Sequence, residues 1–381
     1  MAADGDRRLR IALIASSYAP HIGGVEEHVA QVSRALRSQG HEVEVWSVDR
    51  GRRPAASALE TPPVRYLPTP LPARTGAALF RYALAAPAAW RQWRTAAREF
   101  RPDALVVQCF GPNGVYALRL HRATGIPLMV VSHGETLGDD NGAFARSRLL
   151  RDSLRAALDA SSAHAAPSRY VLDDLSARFG AGEGTIIPNG VGRMPSFDVP
   201  VREQDLLVAV GRLGRMKGFD LLIDAFAAVE KGKLEIVGDG PEREALQQQI
   251  SALGLDDRVR LLGERDAAGV AERIAAATAV VVPSRSESFG IVALEAWRGG
   301  APLVMTSRGG AAEFIRDGED GLLVDPEDAA ALTDALRRVL SDSPLRDRLA
   351  EAGLDRVKAF SWPRVALLYD MVLRAIVGRR R

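Results

Sequence analysis

The chain reads as an α/β protein built from two doubly wound, parallel-sheet domains. Three observations predict this. Short apolar runs alternate with helical patterns along the whole chain. The alternation stops in a polar, proline-containing stretch, Gly192 to Gln204, and restarts at Leu206. Finally, 381 residues that are 47% hydrophobic and 26% charged suffice for two cores.

Taken in order, Arg10 to Ser16 is the first strand, and the loop SSYAPHIGG leads into a helix from Val25 to Gln39. Gly40 stops that helix, and Val43 to Val48 is the next strand. Gly23 and Gly24 sit just before the helix, where backbone N–H groups free of a Cβ can approach a phosphate. The G-x-G-x-x-G fingerprint of dinucleotide binding is absent, so Asp49 reads as a turn residue rather than a ribose ligand. Prolines crowd the following stretch around a short strand at Val64 to Leu67. Ala77 to Arg98 is helical in composition, with an interruption expected at Pro87. Its Arg81, Arg91, Arg94 and Arg98, with Phe80, Trp90 and Trp93, allow two readings. One is a basic surface for an anionic membrane or acceptor; the other is an Ala-rich surface helix with tryptophan in the core.

Ala104 to Val107 and Pro127 to Val131 continue the strands, and His133 follows the second at a strand's C-terminal end. There an imidazole can bond sugar hydroxyls near neutral pH, or serve as an internally satisfied histidine. Glu135, Asp139 and Asp140 make the next loop acidic, which suits a polyhydroxyl or cationic acceptor, or equally an ordinary solvated loop. Ala163 to Ala165 is a buried strand, and Ser168 is placed to cap a helix from Tyr170 to Phe179. Ile186 and Ile187 then lead to Pro188-Asn189-Gly190-Val191.

In the second half, strands are expected at Leu206 to Val210, Leu234 to Val237, Val259 to Leu262, Ala279 to Val282, Leu303 to Met305 and Leu322 to Val324. The first loop, Gly211 to Gly218, combines three glycines with Arg212 and Lys217. Arg212 offers a fork of donors and Lys217 a compact charge, and a diphosphate leaving group needs both. At an effective dielectric of about 20, one such ion pair in contact is worth about 4 kcal/mol. Lys217 stands out because lysine otherwise occurs only at Lys231, Lys233 and Lys358. No Walker phosphate loop is present. Gly238-Asp239-Gly240, Gly263 and Gly309-Gly310 with Glu313 mark further strand ends where a backbone can meet a ligand or simply turn.

The stretch Pro283 to Pro302 carries the densest chemistry. A strand ends at Pro283, and a polar loop gives way at Phe289 and Gly290 to a helix from Ile291 to Arg298. Glu287 precedes the helix and Glu295 lies eight residues on, inside it. A helix N-terminus is an anion site, and in open parallel sheets the strand end is where ligands bind. Two carboxylates beside it suit a sugar joined to a phosphate, unless both are solvated helix charges.

Composition narrows the class. A net charge of +2 gives no case for nucleic acid. The single cysteine, Cys109, excludes a disulfide framework, fits a reducing cytoplasm, and reads as a small buried hydrophobe. No apolar signal region precedes Ile11 and no stretch reaches membrane-span length. Abundant arginine and alanine fit a GC-rich bacterial genome. The amphipathic C-terminal helix ends in a basic GRRR.

Together these motifs resemble the retaining GT-B glycosyltransferases of family 4. The likeness runs from Gly23-Gly24-Val25-Glu26 and Gly40-His41-Glu42-Val43 through His133, Pro188-Asn189-Gly190-Val191, the Gly211 to Gly218 loop and Gly238-Asp239-Gly240 to the E-x7-E pair of Glu287 and Glu295. Ser288 departs from the family's usual glycine in E-G-F-G. The resemblance implies two Rossmann-like domains facing across a cleft, residues 1–195 on the acceptor side and 196–361 for the nucleotide sugar, with the helix 362–381 rejoining the first. It implies that Arg212 and Lys217 hold the donor diphosphate with Gly24, and that Glu287 contacts donor-sugar hydroxyls. Glu295 would bind the ribose and His133 would lie by the reacting sugar. Gly23, Asn189, Gly211, Gly238, Gly263, Ser288, Phe289, Gly290 and Ile291 complete the expected donor site. Glu26, Glu135 and Asp139 would lie on the acceptor side.

The expected activity is retaining transfer of a hexose, glucose or N-acetylglucosamine, from a UDP-linked donor to a hydroxyl of a glycan, lipid or small natural product. Neither metal nor other cofactor is expected, because the basic pair takes the cation's part. The chain would be cytoplasmic, with weak peripheral contact at the inner membrane face as an open addition. The rival classes are a nicotinamide-dependent oxidoreductase and a catalytically silent sugar-nucleotide-binding module.

Overall fold

A computed structural model describes residues 7–21, 23–51, 62–72, 76–137, 142–197, 200 and 202–379. The chain divides into two compact units, Met1–Pro188 with Trp362–Arg381, and Asn189–Ser361.

The first unit runs β1 (Arg10–Ala15), α1 (Gly24–Ser38), β2 (Glu42–Val48), β3 (Val64–Leu67), α2 (Gly76–Phe100), β4 (Ala104–Gln108), α3 (Pro112–Thr124), β5 (Leu128–Val131), α4 (Ala143–Arg146), α5 (Arg148–Ala160), β6 (Ala163–Ala166), α6 (Arg169–Phe179) and β7 (Thr185–Ile186). Its seven-stranded parallel sheet has the order β3-β2-β1-β4-β5-β6-β7. Every residue of β4 and β5 is buried, because helices cover both faces of the sheet. The second unit runs β8 (Leu206–Val210), α7 (Phe219–Ala227), β9 (Lys233–Val237), α8 (Arg243–Ala252), β10 (Val259–Gly263), α9 (Ala267–Ala276), β11 (Ala279–Val282), α10 (Ile291–Arg298), β12 (Leu303–Thr306), β13 (Leu322–Val324), α11 (Ala329–Ser341) and α12 (Ser343–Arg356). Its six-stranded parallel sheet is ordered β10-β9-β8-β11-β12-β13.

The chain ends in α13 (Trp362–Gly378), which belongs to the first unit. Its Val365, Ala366, Tyr369, Leu373 and Ile376 face inward at helical spacing and share a core with Val29, Val32 and Leu36 of α1 and with β1.

In each sheet the strand order reverses at one point, between β1 and β4 and between β8 and β11. Such switch points open a crevice beyond the strands' carboxyl ends. The helices that follow these four strands, α1, α3, α7 and α10, start at Gly23, Gly111, Gly218 and Gly290 without a side-chain cap. Elsewhere Ser147, Ser168, Asp266, Asp328 and Asp342 cap α5, α6, α9, α11 and α12 in the usual way. Helices α4 and α8 also start without a side-chain cap, at Gly142 and Glu242, so uncapped starts are not confined to the switch strands.

Two elements differ from expectation. Helix α2 is not interrupted at Pro87 but runs through it. Pro87 and Ala83 are both exposed, so the carbonyl deprived of its donor faces water. The second unit also starts ahead of the polar 192–204 stretch, because the Val191 N–H donates to the Phe360 carbonyl at 2.8 Å and Val191 pairs with Ser361.

Candidate active site

In the second unit, the loops after β8 and β11 meet at the switch point. Gly218 lies so close to β11's exit that a Cβ on it would sit 2.0 Å from the Pro283 carbonyl oxygen, and its φ is +66°. Arg285 donates its backbone N–H to Met216 at 2.9 Å and its side chain to the Arg215 carbonyl at 2.8 Å. The same guanidinium forks onto Asp220 at 2.7 and 2.6 Å. Against the desolvation of its half-buried place, those bonds pull the Asp220 carboxyl below its usual range. With the two loops locked together, Lys217 Nζ donates to Glu287 Oε2 at 2.7 Å. Ser284, fully buried, donates its hydroxyl to the same oxygen at 3.0 Å. From the other side, Gly309 packs its Cα against Glu287, where a Cβ would lie 2.1 Å from the backbone oxygen. The Glu287 carbonyl accepts the Gly310 N–H at 2.8 Å.

These bonds fix Glu287 by backbone and side chain alike. The Lys217 side chain is 35% exposed and that of Glu287 12%, so the ammonium sits at the rim and the carboxylate below it. Arg212 is exposed on the same loop. Phe289 is buried in a stack on Phe314 with centroids 4.5 Å apart. It anchors the start of α10, where Gly290 has a φ of +92° and Ser288 and Ile291 are half-buried. Glu295 is half-buried on α10. Gly211 pairs with Val237, and the Gly238 N–H donates to Gly263 at 2.9 Å, so these three strand ends lie side by side. Asn189 is buried at the start of the unit.

In the first unit, His133 follows β5 and its Nε2 is 2.8 Å from Gln108 Oε1, at the end of β4. The ring meets His28 edge-on with centroids 4.5 Å apart. Burial, reinforced by His28, pushes the His133 imidazole well below its usual pKa and keeps it neutral. Glu135 turns its carboxylate inward: it accepts the N–H of Phe110 at 2.8 Å, the N–H of His133 at 2.7 Å and the Ser132 hydroxyl at 2.9 Å. Desolvation nevertheless raises its pKa. Both oxygens are therefore engaged in tying β4 to β5, which is not the free acceptor-facing carboxylate the sequence suggests. Glu26, half-buried, folds its carboxylate back over Gly23 at the start of α1. Asp139 and Asp140 lie outside the described residues.

Ser284, Gln108, His28 and Tyr369 escape the sequence reading: Ser284 is only three residues from Glu287 but follows Pro283 with no distinguishing pattern, and only tertiary structure brings the other three to His133. Cys109 is half-buried, with its thiol pushed far up by desolvation, so it carries no thiolate.

Two Rossmann-like parallel-sheet domains with this arrangement of loops define the GT-B class. Within it the chain belongs to the family 4 glycosyltransferases: the model described as Glycosyltransferase Family 4 matches residues 22–192, and that described as Glycosyl transferases group 1 matches residues 197–356. The chain is 37% identical over 169 residues to the lipopolysaccharide core biosynthesis glycosyltransferase LpsE of Rhizobium meliloti (strain 1021), covering 43% of this chain and 49% of that protein. The chain thus spans about half the length of that relative. It is 29% identical over 382 residues to the phosphatidyl-myo-inositol mannosyltransferase of Mycobacterium leprae (strain TN), covering 94% of each. Among solved structures, sucrose-phosphate synthase from Thermosynechococcus elongatus superposes with a TM-score of 0.81 at 25% identity, over 98% of this chain and 100% of that one. Anabaena Alr3699/HepE in complex with UDP-glucose gives 0.75 at 21% identity, over 96% and 99%.

Proposed function

We propose that this glycosyltransferase moves a hexose, glucose or N-acetylglucosamine, from a UDP-linked donor to a hydroxyl of a glycan, lipid or small natural product, with retention of anomeric configuration. The observation that carries the proposal is the Lys217–Glu287 contact at 2.7 Å, held at the switch point beside an uncapped helix start. An ammonium and a carboxylate fixed side by side suit a ligand that is anionic at one end and hydroxylated at the next. A solved structure of the same fold holding UDP-glucose, and relatives named for sugar transfer, support the donor class.

In this reading Lys217 keeps Glu287 on one N–H and offers two more to the diphosphate, and Arg212 adds its fork. Glu287 accepts a donor-sugar hydroxyl, and Glu295 accepts the ribose hydroxyls. Gly211, Gly238, Gly263, Asn189 and the Ser288–Ile291 turn contribute backbone. His133 offers the sugar a neutral imidazole, and Gly23 and Gly24 offer N–H groups to phosphate. On the acceptor side, Glu26 and Asp139 bind, while Glu135 acts by holding the loop.

The bond from the anomeric carbon to the diphosphate oxygen breaks as the acceptor oxygen bonds the same face. The acceptor's proton passes to the leaving phosphate. Charge building on UDP is met by Arg212 and Lys217, without a divalent ion. In this reading the protein is cytoplasmic and touches an anionic membrane peripherally; the exposure of Leu79, Phe80 and Leu84 beside Arg81 on helix α2 supports the membrane contact. Among the described residues no helix is long and apolar enough to cross one.

The test is nucleotide release from a panel of UDP- and GDP-sugars, with NMR of the product's anomeric proton. UDP release that disappears in Lys217→Ala supports the proposal. Release of GDP alone, or an inverted product, contradicts the donor or the stereochemistry.

A further inference from the structure

His133 ends a buried hydrogen-bonded relay that draws on three other elements. Its Nε2 faces Gln108 Oε1 at 2.8 Å, and since that oxygen only accepts, Nε2 carries the hydrogen. Gln108 Nε2 donates to the Tyr369 hydroxyl at 3.1 Å. The one hydrogen of that hydroxyl is directed to His28 Nε2 at 2.9 Å, a shorter path than the 3.4 Å return to Gln108 Oε1. Gln108 and Tyr369 have no exposed surface and His28 has 1%. Trp362 closes over His28 edge-on at 5.3 Å.

The direction of the relay sets both imidazoles. Reversing the Gln108 amide would reverse every bond, placing the His133 hydrogen on Nδ1 and the His28 hydrogen on Nε2. As built, His133 is the Nε2–H tautomer and His28 the Nδ1–H tautomer.

We propose that Tyr369, on the C-terminal helix, is a positioning residue: through Gln108 it holds His133 in the Nε2–H tautomer, leaving Nδ1 as an acceptor for a donor-sugar hydroxyl. The sugar contact rests on the transferase reading above; the relay itself does not. Tyr369→Phe keeps the ring that fills the core but removes the hydroxyl through which the acceptor nitrogen of His28 orients the amide. Gln108 then has no reason to prefer one face, and both His133 tautomers become populated.

The test is two-bond ¹H–¹⁵N correlation on the full chain with ¹⁵N-labelled histidine, peaks being assigned with His133→Gln and His28→Gln. Wild type is expected to show His133 as Nε2–H and His28 as Nδ1–H, and Tyr369→Phe to average the His133 signals. Gln108→Glu is the second variant. Its carboxylate accepts from both neighbours, so His133 stays Nε2–H while Tyr369 turns and His28 switches to Nε2–H. With UDP-glucose, Tyr369→Phe should lose about tenfold in kcat/KM, the worth of one hydrogen bond. Its affinity for free UDP, which carries no sugar, should not change. His133 found as Nδ1–H in wild type overturns the proposal, as does a Tyr369→Phe variant with unaltered tautomers and turnover. If the tautomers are as stated but no sugar nucleotide is turned over, the relay stands and the transferase reading falls.

Discussion

Lys217 and Glu287 show what single residues contribute. Their pair is partly exposed, so its worth to stability is small, and its value is orientation. Glu287→Gln removes the negative charge from beside the expected diphosphate while keeping the residue's shape. The expected outcome is UDP affinity that holds or rises in calorimetry, with turnover down at least about tenfold for loss of a charged acceptor. A parallel loss of UDP affinity would mean that Glu287 serves the nucleotide rather than the sugar. Three histidines carry a pH signature. His41, His133 and His164 all have imidazole pKa values lowered chiefly by desolvation, so the unfolded chain binds protons more readily. Their contribution is complete above an unfolded pKa of about 6.5 and erodes below it, by at most about 1.4 kcal/mol per pH unit for each. The melting temperature should therefore fall as pH drops from 7 to 5, and fall less steeply in His133→Gln.

Among elements, the loop after β8 and the loop after β11 act as one body. Gly218→Ala would put a Cβ 2.0 Å from the Pro283 oxygen at a φ of +66°. Destabilisation of at least about 2 kcal/mol is expected, seen as a lower melting temperature, together with lost UDP binding. A variant of wild-type stability would show that the two loops are not locked. Helix α2 makes a separable prediction: Phe80→Ser with Leu84→Ser should reduce sedimentation with vesicles containing anionic lipid and leave UDP release from a soluble donor unchanged. The strands were legible because parallel strands covered on both faces must be continuous apolar runs, as at Ala279–Val282. Helices were less so. No periodic signal marks α3, which opens on Pro112 and carries Gly114 in its first turn. The break expected at Pro87 is absent because solvent takes up the freed carbonyl there.

At the scale of the molecule, the first unit is completed by residues from the far end of the chain. Removing 362–381 would strip Trp362, Val365, Ala366, Tyr369, Leu373 and Ile376 from a core they share with α1 and β1. At roughly 1.5–3 kcal/mol for each large buried side chain, that loss rivals a whole domain's stability. The truncated chain should fail to show a cooperative transition for the first unit. Of the candidate site, the Lys217–Glu287 contact was readable in part, because both residues follow strand ends in a pattern of glycines and apolar runs. Gln108 and Tyr369, 261 residues apart, meet only through packing that no local pattern encodes. Likewise, the inward turn of Glu135 depends on donors from two strands.

The central claim is that a sugar nucleotide's diphosphate is gripped by the basic loop Gly211 to Gly218 beside Glu287. Titration calorimetry of UDP against wild type, Arg212→Ala and Lys217→Ala measures it directly. Wild type should bind, and each variant should weaken binding by about ten- to a hundredfold, the worth of one charge-assisted bond to phosphate, while melting as wild type does. Equal UDP affinity in all three proteins would contradict it.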